Sequence, residues 1–137
     1  MPGIAVIGVG YWGKNHARVY KELCQEGMAD AVQICDVNQA RVIELSSALG
    51  IQGTSDYQQI LDDSKIQAVS IVTPSRTHYK IAKECMEAGK DVLVEKPMTM
   101  DVGEAEELVR IADQSNRILM VGHIFRYHPA VQELRRR

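Results

Sequence analysis

Three glycines in the stretch GVGYWG have the spacing of a loop that binds phosphate. They follow an apolar run and precede a segment with helical spacing. In that setting the first glycine permits a tight turn, the second lets the backbone approach a pyrophosphate, and the third lets helix and strand pack closely. Backbone N–H groups at the helix start would face the phosphate charge. The pattern predicts a dinucleotide-binding loop, whose residues are Gly8, Gly10, Tyr11, Trp12 and Gly13.

An acidic residue follows this loop at the separation that dinucleotide binding requires. Asp36 ends the next apolar run, in ICDV, roughly 20 residues beyond Gly13. A carboxylate there accepts hydrogen bonds from the adenosine ribose and repels a 2'-phosphate, which favours NAD over NADP. Arg41 is expected to lie too far into its helix to reverse that preference. Because S-adenosylmethionine enzymes also combine a glycine loop with a later acid, these residues alone leave the reaction open.

A second stretch, Glu95-Lys96-Pro97, supplies a group that could move a proton. Ligands of doubly wound sheets lie beyond the carboxyl ends of the strands, and an apolar strand delivers this stretch to that edge. Oxidising an alcohol by hydride transfer requires the hydroxyl proton to be held or removed. A partly desolvated lysine, its pKa drawn from about 10.4 toward ~7 to 8, suits that task. Lys96 is therefore the candidate catalytic residue, Pro97 would fix the backbone after it, and Glu95 either orients Lys96 or caps the loop.

Strand-like and helix-like segments alternate along the chain. The predicted strands are Ile4–Val9, Val32–Cys35, Ala68–Val72, Val92–Val94 and Ile118–Val121. The predicted helices are Trp12–Gln25, Gln39–Leu49, Thr77–Ala88 and Asp101–Ser115. Strands that are apolar throughout and joined by short helical crossovers predict a doubly wound α/β fold, a parallel sheet covered on both faces.

Two helix ends carry recognisable cap signals. Asp101 followed by Glu104 predicts a capping box at the start of the last of these helices. Gly89 predicts a left-handed end for the helix before it.

The stretch IVTPSRTHYKIAKECMEAGKDVLVEKPMT, from Ile71 to Thr99, resembles the NAD(P)-binding N-terminal domain of the glucose-fructose oxidoreductase and inositol dehydrogenase family (Gfo/Idh/MocA). The resemblance rests on a Thr-Pro strand end, a histidine in the next helix, Ala-Gly-Lys, an apolar strand and Glu-Lys-Pro. It implies a Rossmann fold and NAD-dependent hydride transfer between nicotinamide and a sugar or sugar-nucleotide hydroxyl. The stretches GVGYWGKNHARVY and VGHIFRYHPAV most resemble members that oxidise the 3-hydroxyl of a UDP-N-acetylhexosamine.

The resemblance also implies further site residues. Thr73 and Pro74 would line the nicotinamide half of the cofactor, and Ser75 stands where the family often has Asn. Arg126 would reach the nicotinamide or the substrate. For His78 a role at the cofactor site and a role as a local cap or packing residue both stay open. The predicted cofactor-binding residues beyond the glycine loop are Asp36, Thr73, Pro74, Ser75, His78, Glu95, Lys96 and Arg126.

The predicted dinucleotide-binding domain occupies residues 1–122, and residues 123–137 would begin a connection to a second domain. Such relatives usually continue for roughly 200 residues, one further domain, which carries an Asp-x-x-x-His pair that this sequence lacks. We therefore expect activity only with a partner chain that supplies the second domain, and self-association or such a partner to cover the exposed surface. The alternative is a non-catalytic NAD(H)-binding or sensing module.

Composition argues against several other classes of protein. A formal net charge of -2 argues against a nucleic-acid or anionic-membrane partner. No secretory signal and no membrane-length apolar run is present, so the sequence predicts a cytoplasmic protein. The scattered cysteines, Cys24, Cys35 and Cys85, are expected in the core. His123 and His128 lack the spacing and carboxylates of a metal site, so no metal is predicted.

Overall fold

A computed structural model describes all residues from 1 to 137 and consists of a parallel sheet flanked by helices. The strands are β1 (Gly3–Ile7), β2 (Ala31–Cys35), β3 (Gln52–Thr54), β4 (Ile66–Ile71), β5 (Asp91–Val94) and β6 (Leu119–Val121). The α-helices are α1 (Gly13–Gln25), α2 (Gln39–Leu49), α3 (Gln58–Asp62), α4 (His78–Glu87), α5 (Val102–Ser115) and α6 (Pro129–Arg136). Short 3-10 turns cover Ser75–Thr77 and Ile124–Tyr127.

The six strands lie in the order β3-β2-β1-β4-β5-β6, and every neighbouring pair is parallel. This is the strand order of the dinucleotide-binding Rossmann fold, in which ligands bind beyond the carboxyl ends of the strands where the order reverses. Here the reversal lies between β1 and β4. The predicted doubly wound α/β fold is confirmed.

Each face of the sheet has its own apolar core. On one face a large cluster joins the sheet to α3, α4 and α5, with Ile60, Ile81 and Leu108 buried among strand residues. On the other face Ala17 of α1 packs with Val6 and Ile34, and side chains of α2 lie against them. Alternate residues of β1 therefore serve opposite cores, which explains why the strand is apolar throughout.

The first strand ends two residues earlier than the sequence indicates. Gly8 has a φ of 93° and turns the chain out of the sheet, although its N–H still bonds to the carbonyl of Cys35 at 2.8 Å. Val9 is buried and its N–H donates to the Asp36 carboxylate at 2.9 Å. The predicted strand was too long because Val9, which lies in the loop, is apolar like the strand residues before it.

Two elements within residues 1–122, β3 and α3, have no sequence prediction. The β3 residues Gln52–Thr54 pair with β2 through backbone hydrogen bonds but carry no apolar pattern. The α3 helix has five residues, too few for a helical period to be recognised, and is anchored by Ile60 and Leu61.

Both predicted helix ends are capped in the structure, although the capping box at Asp101 is only half formed. Asp101 accepts a hydrogen bond from the Glu104 N–H at 3.2 Å, which is one half of a capping box. No return hydrogen bond from the Glu104 side chain is formed. Gly89, with a φ of 78°, follows α4 as expected.

The cysteines are free thiols in different environments. Cys35 and Cys85 are buried as predicted, and burial raises the pKa of each thiol to about 12. The prediction is wrong for Cys24, which lies on α1 partly open to solvent. None of the helices combines the length and apolar character needed to cross a bilayer.

Candidate functional site

The loops after β1, β2, β4 and β5 all leave the same edge of the sheet, because the strands are parallel. The glycine loop follows β1, Asp36 follows β2, and Thr73 follows β4. The Glu95-Lys96-Pro97 stretch follows β5. The fold thus places these predicted site segments on one edge.

Two of the three glycines are required by close backbone packing. A Cβ on Gly8 would stand 2.6 Å from the Val72 carbonyl oxygen, and one on Gly13 only 1.8 Å from the Gly8 carbonyl oxygen. Gly13 therefore lets the start of α1 pack against the turn that leaves β1. These positions match the roles predicted for the first and third glycines.

Gly10 has free space instead. A Cβ there would have one neighbour within 4 Å, the Arg41 Nη1 atom at 3.9 Å, so no protein packing requires a glycine. Open space beside Gly10, just before the N-terminus of α1, is compatible with a pyrophosphate, which needs close access to backbone N–H groups. Tyr11 and Trp12 are exposed beside it, with their rings edge to face at 5.6 Å.

Asp36 is only 8% exposed, and its two carboxylate oxygens have different backbone partners. Oδ2 accepts from the Val9 N–H at 2.9 Å, and Oδ1 accepts from the Asn38 N–H at 2.8 Å. The carboxylate thereby fixes the end of β2 against the glycine loop. Its remaining lone pairs are the ones that could accept from a ribose hydroxyl.

Arg41 comes closer to Asp36 than its place in the helix suggests, and the expectation that it does not reverse the preference for NAD stays a prediction. The Arg41 Nη1 atom is 3.9 Å from Asp36 Oδ2 and borders the space beside Gly10. The long side chain bridges the first turn of α2, a reach that counting residues along the helix does not reveal. A guanidinium therefore lies beside the carboxylate that is predicted to accept hydrogen bonds from the ribose.

The loop after β4 is held by threonine hydroxyls. Thr77 Oγ1 lies 2.7 Å from Thr73 Oγ1 and 2.7 Å from the Pro74 carbonyl oxygen, and its single hydrogen can be donated to either oxygen. Thr73 is half-buried, Pro74 is exposed, and the Ser75 side chain forms no hydrogen bond. The backbone at this strand end is thus fixed while its outer surface stays accessible.

Glu95 is bound by a histidine that the sequence analysis missed. His16 Nε2 lies 3.1 Å from Glu95 Oε1, and both side chains are largely buried. A Cβ on Gly122 would stand 2.9 Å from the same carboxylate oxygen. Glu95 is therefore packed between α1 and the end of β6, which favours a structural role over direct contact with a ligand.

The Glu95 contact continues into a buried polar network. His16 Nδ1 lies 3.0 Å from Ser70 Oγ, which also lies 3.0 Å from the Tyr20 hydroxyl. Burial raises the pKa of Tyr20, so the phenol keeps its proton. His16 and Tyr20 occupy successive turns of α1, at i and i+4, and this spacing was the available signal that they share a face.

Lys96 stands beside this network but outside it. Its side chain is exposed and forms no hydrogen bond or ion pair, and the peptide bond to Pro97 is cis. The partial desolvation expected for a proton-accepting lysine is therefore not supplied by this chain's own residues. A substrate or a second polypeptide would have to supply it.

His78 lies beneath the surface and is 1% exposed. Its ring nitrogens lie 2.8 Å from the carbonyl oxygens of Thr73 and Pro97. The ring is thus between two of the site loops. It bonds to backbone carbonyls and presents no polar atom to solvent.

Arg126 lies in the 3-10 turn that follows the edge strand β6. It borders a cleft outside β6 with His123, Tyr127 and Arg135, and its guanidinium is exposed. Contact with the nicotinamide stays a prediction for this residue. Nowhere in the chain do three or more potential metal ligands cluster.

The family model of an oxidoreductase family with an NAD-binding Rossmann fold, GFO_IDH_MocA, matches residues 3–123. A UDP-N-acetylglucosamine 3-dehydrogenase of Acidithiobacillus ferrooxidans is 38% identical over 130 residues, which cover 95% of this chain and 39% of the relative. An NAD(+)-dependent scyllo-inositol 2-dehydrogenase of Bacillus subtilis is 33% identical over 134 residues, 97% of this chain and 39% of the relative.

Solved structures of dehydrogenases also match this chain along almost its whole length. The Acidithiobacillus dehydrogenase superposes with a TM-score of 0.86 at 36% identity, over 98% of this chain and 42% of that one. The WlbA dehydrogenase of Chromobacterium violaceum, in complex with NADH and UDP-GlcNAcA, superposes with a TM-score of 0.89 at 27% identity. That match covers 98% of this chain and 39% of the other.

The chain spans about 40% of the length of these relatives. The matched portion is the cofactor-binding part of an oxidoreductase. The alternative of an S-adenosylmethionine enzyme is therefore excluded.

Proposed function

The chain belongs to the Gfo/Idh/MocA oxidoreductase family as its NAD-binding Rossmann domain, and on that premise we propose that it is the cofactor-binding part of a dehydrogenase acting on a sugar or sugar nucleotide. The observation that carries the proposal is the placement of Lys96 on the same sheet edge as the open glycine loop. A phosphate-binding loop alone fits many nucleotide proteins, whereas a lysine beyond a neighbouring strand adds the group that an alcohol oxidation needs.

Each segment has a distinct part in this proposal. Gly10 and the N-terminus of α1 would hold the pyrophosphate, Asp36 the adenosine ribose, and the backbone at Thr73 and Pro74 the nicotinamide half. When bound, NAD supplies the hydride acceptor. Lys96 would hold or accept the proton of the hydroxyl under oxidation, so that the carbon–oxygen double bond forms as the hydride leaves.

The substrate class is proposed from the relatives. One acts on UDP-N-acetylglucosamine and another on scyllo-inositol, according to their names. Both are polyols whose secondary hydroxyl groups can be oxidised. We favour the 3-hydroxyl of a UDP-N-acetylhexosamine, because the first of these relatives is the more similar in sequence.

The preference for NAD over NADP is likewise a proposal. Asp36 would repel a 2'-phosphate, but Arg41 at 3.9 Å partly offsets that charge. The carboxylate is buried and bonded to backbone, whereas the guanidinium is more than half exposed and screened by solvent. The repulsion of a 2'-phosphate by Asp36 therefore outweighs its attraction to Arg41, and we expect NAD to be preferred.

Two measurements test the proposed function. Calorimetric titration with NAD, NADH and S-adenosylmethionine should give binding of the first two alone. NADH formation from UDP-N-acetylhexosamines should then appear when a polypeptide with the family's second domain is added. If the chain binds neither NAD nor NADH, the proposed function is rejected.

A non-catalytic NAD(H)-binding or sensing module is the second candidate. The exposure of Lys96 favours it, because no residue of this chain desolvates the ammonium. It predicts tight NAD(H) binding and no turnover with any second-domain polypeptide. The same pair of measurements separates the two candidates.

A further inference from the structure

His78 joins two loops that come from different strands. One ring nitrogen, Nε2, lies 2.8 Å from the Thr73 carbonyl oxygen, at the end of β4. The other, Nδ1, lies 2.8 Å from the Pro97 carbonyl oxygen, one residue after Lys96. The side chain is 1% exposed, so water does not compete for either contact.

The two contacts fix the hydrogen count of the ring. A carbonyl oxygen only accepts, and a neutral imidazole carries a single N–H that can serve one acceptor. A bare nitrogen facing the second carbonyl at this distance would set two lone pairs against each other. Both contacts are hydrogen bonds only when both ring nitrogens carry hydrogen.

Opposing effects act on a cationic ring here. Burial and the first position of α4, at the positive end of the helix dipole, disfavour the charge. Two charge-assisted hydrogen bonds to carbonyl oxygens favour it, and such bonds are about twice as strong as neutral ones. The ionisable side chains nearest along the chain to the ring and its two acceptors are Arg76, Tyr79, Lys80, Glu95 and Lys96, and none of them bonds to the ring. The hydrogen-bond partners of the His78 ring are the two carbonyl oxygens, and no carboxylate is among them.

We propose that His78 is a positioning residue, doubly protonated, that fastens the Thr73–Pro74 loop to the loop carrying Lys96. The inference rests on the proposed function, since these loops would flank the nicotinamide end of the cofactor. Fixing both loops to one ring sets the distance between the nicotinamide wall and the proton-handling lysine. The adenosine end, built on Asp36 and α1, does not depend on it.

The protonation state can be read directly on the unaltered chain. Uniform labelling with 15N and two-bond correlation spectra distinguish ring nitrogens that carry hydrogen from bare ones. We expect both nitrogens of His78 to carry hydrogen at neutral pH, assigned by loss of the signal in a His78→Asn variant or by sequential assignment. A bare ring nitrogen would overturn the doubly protonated form, and this reading requires no ligand.

Two variants test the positioning role, and each keeps one of the two hydrogen bonds that the His78 ring makes. The amide of Asn lies near the place of Nδ1, so His78→Asn keeps the bond to Pro97. The amide of Gln lies near the place of Nε2, so His78→Gln keeps the bond to Thr73. Tyr79→Phe is the matched control, because it removes the neighbouring hydrogen bond to Glu107 on the far side of α4.

The readout compares NADH with ADP-ribose, which lacks the nicotinamide. Loss of one bond should raise the NADH dissociation constant about tenfold in both histidine variants. The ADP-ribose constant should stay within about twofold, as should both constants in Tyr79→Phe. Equal weakening of both ligands would mark a merely structural residue, and unchanged NADH binding would also overturn the proposal.

The outcomes also separate this inference from the proposed function. If the unaltered chain binds neither ligand, the proposed function fails, and the nitrogen spectra still decide the state of the ring. If it binds both ligands equally, the nicotinamide gains nothing from the two loops and the positioning role is rejected. If a variant does not fold, the other variant and the spectra of the unaltered chain remain decisive.

Discussion

Adjacent residues in the Glu95-Lys96 pair have opposite surroundings. Glu95 is packed against Gly122 and bonded to His16, whereas the Lys96 ammonium is exposed and unbonded. Such a division suits a site in which one side chain fixes the loop and the next acts on a ligand. The sequence alone left the role of Glu95 open, because the partner histidine lies 79 positions away.

Replacing Lys96 with Met should leave NAD affinity within about twofold, since the lost interaction belongs to the transition state. The same change should abolish NADH formation in an enzyme reconstituted with the second domain. Calorimetry and absorbance at the NADH band provide the two readings. Full activity in the variant would remove Lys96 from the mechanism, and weakened NAD binding would make it a cofactor ligand instead.

Replacing Asp36 with Ser should reduce the preference for NAD over NADP by about tenfold, because the charge facing the 2'-phosphate is lost. Arg41→Leu is the matched variant and should shift the preference in the opposite direction. Dissociation constants for both cofactors provide the measurement. Equal affinity of the unaltered chain for NAD and NADP would contradict the assignment of Asp36 as the selecting residue.

At the scale of elements, the start of α1 has two glycines with different requirements. Gly13 is fixed by backbone contact with Gly8, whereas Gly10 faces open space. In the sequence, both glycines are identified only by their place in the same glycine-loop motif. The structure thus separates Gly13, which backbone packing requires, from Gly10, for which ligand binding is the proposed reason.

Gly13→Ala should lower the free energy of unfolding by about 3 kcal/mol, because its Cβ would overlap the Gly8 carbonyl. The melting temperature should fall by roughly 10 °C. Gly10→Ala should leave the melting temperature nearly unchanged and weaken NAD binding by at least about tenfold. A stable Gly13→Ala protein, or a Gly10→Ala protein with full NAD affinity, would contradict the distinction.

Elements with strong apolar patterns were predictable from the sequence, and weakly patterned ones were not. The helix Gln39–Leu49 was predicted with its observed bounds, and in the structure Asn38 caps its start and Gly50 its end. The β3 strand was missed because its pairing with β2 uses only backbone atoms. The reach of Arg41 and the His16 network were missed because they depend on side-chain packing between separate elements.

At the scale of the whole molecule, the sheet is unevenly covered. Val92 and Val94 of β5 are buried under helices, whereas Leu93 between them is half-buried and its neighbour Met120 on β6 is exposed. Beyond the edge strand, Ile124 and Phe125 are also exposed. This side of the molecule presents apolar surface and an unpaired strand edge.

We expect the chain to associate with itself or with a second-domain polypeptide through this surface. Sedimentation at tens of micromolar should detect a species larger than the monomer, since burying such a patch is favourable. Met120→Lys should shift the population toward monomer, while Val109→Lys, on the exposed side of α5, serves as the control. A monodisperse monomer of the unaltered chain would refute self-association.

The Tyr20–Ser70–His16–Glu95 network connects the helix that begins at the glycine loop with the loop that carries Lys96. Its histidine belongs to the helix whose start would bind pyrophosphate, and its carboxylate precedes Lys96. Coupling between two binding events is reciprocal by thermodynamic linkage. For the proposed pair of ligands, any factor by which NAD strengthens sugar binding must therefore equal the factor by which the sugar strengthens NAD binding, and His16 is the side chain that joins α1 to Glu95 in this network.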